Sequence, residues 1–198
     1  MGYREWRSRL RDYEEITHTA PMVRRYFVIG AFDGVLTILA LILGAAAAGA
    51  ATHTDPTQLT HLILLSSGAA ALGLSISSGL GAYEVERVER KLDQYTLEGA
   101  MLSQMGATHK GAFTYAAALS ALVHALAPLI AAAFPVLPFL FLPFAAAIPV
   151  SVVIALAFLA VIGAYLGSLL RERLPMTALR FVLAGLVVAV VLYFLGGK

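Results

Sequence analysis

The sequence predicts an all-α polytopic membrane protein with five transmembrane helices, its N-terminus cytoplasmic and its C-terminus outside. Three observations predict it. Of 198 residues, 60% are hydrophobic and 13% charged, whereas a soluble domain needs roughly 25% charged residues to build its polar shell. Five stretches, approximately 26–51, 62–83, 112–133, 140–168 and 178–195, are apolar over the length a helix needs to cross hydrocarbon. They are continuously apolar and do not alternate, which excludes barrel strands.

The third observation is where the cations sit. Arg4, Arg7, Arg9, Arg11, Arg24 and Arg25 precede the first span, Arg87, Arg90, Lys91 and Lys110 join the second to the third, and Arg171, Arg173 and Arg180 join the fourth to the fifth. The alternate loops, THTDPTQLT and FPVLPFLFLP, contain none, and Lys198 alone falls on the far side. The excess of cations on one side orients the chain. The net charge of +2 is thereby explained by topology, so the expected partner is a lipid bilayer and no nucleic acid.

Residues 1–23 come first. Trp6, Leu10, Tyr13 and Thr17 recur at helical spacing beside Arg4, Arg7 and Arg11, the pattern of an amphipathic interfacial helix; a solvated arm is the alternative. Residues 24–198 form the five-helix transmembrane domain, with a short acidic cytoplasmic segment at 84–110. The first span is too long for a signal-peptide core and four more spans follow it.

That span, YFVIGAFDGVLTILALILGAAAAGAA, is apolar except at Asp33 and Thr37. An intramembrane carboxylate is costly, so such residues face a bundle interior, a partner or an aqueous path. Gly30 and Gly34 form a GxxxG pair, and a close-packed face shared with Asp33 and Thr37 is expected. Asp33 lies ~10 Å inside Tyr26 along a helix. The second span, running oppositely, brings Ser77 and Ser78 to that level. Oxygen donors there suit a hard or borderline divalent cation; a structural Asp, protonated or bonded to a serine, is the alternative.

After the second span come Glu84, Glu86, Glu89, Asp93 and Glu98, then Met101, Met105 and His109. On a continuing helix Gln94, Glu98, Met101 and Met105 share one face. Carboxylates, thioethers and an imidazole form a set that Fe(II), Mn(II) or Zn(II) can use. The bland alternative is a solvated face with pairs such as Glu86 and Arg90.

In the third span His124 precedes Pro128 by four residues, so its carbonyl lacks a helical donor. The ring either lines an ion path or packs as a satisfied core group. Pro135, Pro138, Pro143 and Pro149 shape the outer turn, and Gly163 with Gly167 forms a second GxxxG for helix packing. The chain has no cysteine, which removes thiolate ligands and thiol catalysis. No nucleophile elbow, zinc-protease or phosphate-loop motif occurs, so neither an enzyme nor a resident cofactor is expected.

These residues carry a resemblance. FVIGAFDGVLTILALILG resembles the first helix of the vacuolar iron transporter family, SSGLGAYEVERVERK the end of its second, and ALAPLIAAAFPVLPF its third. GAYLGSLLRERLPMTALRFVLAGLVVAVVLYFLG is similar to its last two helices and their basic loop. The resemblance implies a homodimer that carries Fe2+ or Mn2+ out of the cytoplasm in exchange for protons. It makes Asp33 a transport ligand, with the ion path between copies of the first two helices.

This chain departs from the family at Ser78, where a Met is expected, and at Ala82, where a Glu is expected. Glu84 is the nearest replacement, and Glu84, Glu86, Glu89 and Glu98 form a reduced version of the family's glutamate-rich module. The function expected is divalent cation transport; the alternative is a transport-inactive scaffold or sensor of the same fold.

Overall fold

In the computed structural model, residues 3–170 and 173–196 are described, and among them the chain is helical throughout, in the order α1 (Tyr3–Thr17), α2 (Thr19–Thr52), α3 (Pro56–Met101), α4 (Ala107–Val136), the single turn α5 (Pro138–Phe141), α6 (Phe144–Leu170) and α7 (Leu174–Gly196). Five of these, α2, α3, α4, α6 and α7, are long and apolar enough to cross a membrane. Four of the expected spans fall within α2, α3, α4 and α7, whereas the fourth, expected at 140–168, starts only at Phe144 because Leu142, ahead of Pro143, is extended and separates α5 from α6. The protein is an integral multi-pass membrane protein.

The breaks between helices have local causes. His18, His53 and Leu102 take positive φ of 45°, 51° and 51°, the left-handed conformation that ends a helix and that glycine usually supplies. Asp55 then opens α3 by accepting from the Thr57 N–H at 2.7 Å, as an N-cap residue does.

The described residues of Met1–Ile29 and Ser75–Leu126 form one compact unit. Its core joins Met22 and Tyr26 of α2 to Ala82 of α3 and Ala116 of α4, with Val123 against them. Small residues bring the backbones together, for a side chain on Gly79 would meet Ala125 Cβ at 2.9 Å. α1 rests on the start of α4: the rings of Tyr13 and Tyr115 lie 5.8 Å apart. A side chain on Gly111 would strike the Tyr13 hydroxyl at 2.7 Å. The side chains of Arg4 and Trp6, to which the amphipathic pattern assigned roles, lie outside the described residues, as do Arg171 and Lys198.

The described residues of Gly30–Leu74 and Ala127–Lys198 form the other unit. Ile38, Ile42, Ile63, Ala71, Ala132, Phe139 and Ala147 make its core. A Cβ on Gly34 would stand 2.7 Å from the Pro128 Cα and carbonyl oxygen, so α2 and α4 touch backbone to backbone here. α6 and α7 pack as an antiparallel pair. Gly163 faces Ala178 Cα at 2.7 Å and Gly167 faces Leu174 Cα at 3.3 Å, the packing role expected of that GxxxG. Such close approach supplies the dispersion contacts that hold helices together where lipid is as apolar as the side chains. Large apolar residues such as Leu65, Leu72, Val153 and Val161 point outward, as a lipid-facing surface requires.

Candidate functional site

The acidic stretch of α3 has two faces. Glu84 is exposed and chelated by Arg87, whose Nη1 lies 3.0 Å from both of its carboxylate oxygens. Two residues on, Glu86 turns about 200° around the axis and is buried, with 2% of its surface exposed. Arg90 Nε donates to Glu86 Oε1 at 2.9 Å, and the Tyr26 hydroxyl of α2 donates to Oε2 at 3.5 Å. The pair at i and i+4 thus exists, but it is covered, so that each charge depends on the other for its compensation. The interior carboxylate is Glu86 and not Glu84, the residue expected to replace the family's second-helix Glu.

Beside Glu86 lies a cavity of about 340 Å³ lined by His18, Pro21, Met22, Arg25, Glu86, Glu89, Arg90 and Asp93. Glu86, Glu89 and Asp93 fall at i, i+3 and i+7, one stripe of α3, and they face the imidazole of His18 and the thioether of Met22. That is an oxygen, nitrogen and sulfur donor set of the kind borderline divalent cations accept. Among the described residues no three carboxylate or imidazole groups stand close enough to form a coordination sphere, so the cavity is an open vestibule of mixed charge, with Glu86, Glu89 and Asp93 set against Arg25 and Arg90, and not a closed cage. Asp93 belongs to the acidic run read from the sequence, but His18, Met22 and Tyr26 do not stand out there; the signal that the sequence holds for the grouping is helical spacing, 22 with 26 and 86 with 89 and 93.

The expected set at Gln94, Glu98, Met101 and Met105 is only partly assembled. Gln94 donates to Glu98 Oε1 at 2.8 Å, but α3 ends at Met101 and Leu102 reverses the chain. Met105 therefore leaves the helical face, and it returns to Glu98 through its backbone N–H at 2.9 Å. Lys110 stands 4.0 Å from the same oxygen. Glu98 is occupied as a loop clamp, and Met101 is exposed.

His124 of α4 has its Nδ1 2.9 Å from the Tyr26 carbonyl and its ring 5.2 Å from that of Tyr26, so it holds α4 to α2 beneath Glu86's hydroxyl partner. Ser77 is exposed and Ser78 half-buried on α3. Ala82 is buried in the core, where a glutamate would displace Tyr26 and Ala116.

Asp33 belongs to the other unit. Gly34 is buried against Pro128, and Asp33, one residue and about 100° away, is exposed. The shared close-packed face expected for the two is therefore split: glycine packs inward and the carboxylate points off the chain's own surface. Thr37, one turn on, is half-buried. Among the described residues no hydrogen bond or ion pair reaches Asp33.

Residues 85–197 match the VIT family, a stretch that includes Glu86, Glu89 and Asp93 and begins after Asp33. Over 179 residues the chain is 25% identical to the uncharacterized protein MJ0645 of Methanocaldococcus jannaschii, the alignment covering 86% of this chain and 87% of that one.

Proposed function

Because the chain belongs to the VIT family, whose members move metal ions across membranes, we propose that it carries Fe2+ or Mn2+ out of the cytoplasm in exchange for protons. The observation that carries this is the vestibule, where Glu86, Glu89 and Asp93 meet His18 and Met22 around about 340 Å³. Its donors are too far apart to trap an ion, which is what an entry station needs: binding strong enough to collect the cation and weak enough to release it. Glu86 exchanges Arg90 for the arriving cation, and protonation of the carboxylates on the far side of the cycle drives release.

Asp33 binds the ion within the membrane. A carboxylate on the outer surface of a membrane helix calls for cover, and a second copy of the chain is the cover proposed here, giving a homodimer. The N-terminus and the vestibule then face the cytoplasm, consistent with the arginines of α1 and of the start of α2.

A transport-inactive scaffold is the second reading, and the observation favouring it is Ala82, a packing residue at the place of a family glutamate. Uptake of Mn(II) into proteoliposomes with an imposed pH gradient separates the two. Transport predicts saturable, gradient-dependent uptake; folded protein in vesicles as tight as empty ones leaves only the scaffold.

A further inference from the structure

We propose that the C-terminal part of α3 and the start of α4 form a binding cleft for a phosphate-bearing anion, held by Arg87, Arg90, Lys91 and Lys110. A second cavity, of about 310 Å³, opens on this side of α3, and these four cations line it together with Tyr83 and Phe113. No carboxylate is among its lining residues. The nearby acids bond the cations from outside the cleft and use only part of their capacity. Glu84 takes Arg87 Nη1 at 3.0 Å, Glu86 takes Arg90 Nε at 2.9 Å, and Glu98 stands 4.0 Å from Lys110 Nζ. Among the described residues Lys91 has no carboxylate partner.

Topology alone asks for cations near the membrane, but it does not ask that they converge on one walled space. The arginines of α1 illustrate the difference: Arg9 and Arg11 are simply exposed. In the cleft, Arg90 is also held in orientation, its guanidinium carbon 5.7 Å over the Phe113 ring. A fixed guanidinium fork with two mobile ammonium groups matches the several oxygens and multiple charge of a phosphate. Apolar walls on two sides focus the field of the four cations into the space. The ligand is therefore a phosphate group, presented either by a lipid headgroup or as a soluble ion. Arg90 lines both cavities, so an anion drawing its guanidinium toward Lys91 loosens its hold on Glu86.

The test uses the full-length protein in nanodiscs. Radiolabelled inorganic phosphate is titrated in phosphatidylcholine discs, and lipid retention is read by native mass spectrometry from discs that also contain phosphatidylglycerol. K91A/K110A removes two exposed cations of the cleft, and R9A/R11A removes the same charge from α1. Phosphate bound by wild type and weakened about tenfold or more in K91A/K110A, with R9A/R11A unchanged, assigns the cleft to a soluble anion. Phosphatidylglycerol retained preferentially and lost only in K91A/K110A assigns it to a headgroup. Binding of neither probe, or equal weakening in both variants, overturns the proposal.

Discussion

Glu86 and Arg90 sit one turn apart on α3 with N and O 2.9 Å apart, and their side chains are only 3% and 21% exposed. Cutting one partner from a buried pair strands the other charge, which costs about 3–5 kcal/mol. Arg90→Ala is expected to lower stability by that amount in detergent. Adding Glu86→Gln should restore much of it, since the remaining amide is neutral and still meets the Tyr26 hydroxyl. Thermal unfolding of the two single variants and the double variant measures the coupling; additive losses would mean that the pair is solvated.

Gly163 and Gly68 make a contrasting pair of substitutions. Alanine at Gly163 meets the Ala178 Cα at 2.7 Å, while nothing lies within 4 Å of Gly68. Gly163→Ala should push α6 and α7 apart at a cost of about 1–3 kcal/mol. Gly68→Ala should stabilise α3 by up to about 1 kcal/mol through helix propensity alone. Denaturation in mixed micelles gives both signs.

Asp55 sets a pH dependence at the start of α3. The Thr57 backbone N–H, followed by its hydroxyl, holds the Asp55 carboxyl below its ordinary 3.8. A depressed carboxylate contributes stability that is complete above the unfolded value and is lost as pH falls through the lower folded one. Protection of the amides in the first turn of α3, taken relative to their intrinsic exchange rates at each pH, should therefore be constant from neutrality down to about 4 and fall below it. Asp55→Asn keeps a capping side chain and should flatten the profile.

The spans were legible because hydropathy over some 20 residues is set by the solvent the chain meets and hardly by tertiary detail. The Gly163 and Gly167 pair was legible for a similar reason: two small residues a turn apart leave a groove that something must fill. Burial of Glu86 was not legible, since Glu and Arg at i and i+4 look the same on a wet face and a covered one. Only the arrival of Met22 and Tyr26 from a segment 60 residues away decides it. Asp33 shows the same limit at finer scale. Its neighbour Gly34 was correctly marked for close approach, but one residue of helical rotation separates a packed face from an open one. The Met105 placement failed because nothing at Leu102 announces a left-handed residue, a position glycine normally marks.

Cation movement itself is the most direct test. Proteoliposomes holding a metal-sensitive dye, with a pH gradient imposed, are challenged with Fe(II), Mn(II), Co(II) and Zn(II), using wild type, Asp33→Asn and Glu86→Gln. Wild type should take up Fe(II) or Mn(II) and slow when the gradient is collapsed. Asp33→Asn should abolish uptake, and Glu86→Gln should weaken it chiefly at low metal concentration. Wild-type uptake that survives Asp33→Asn undiminished, or no uptake by folded and inserted wild-type protein, would contradict the account.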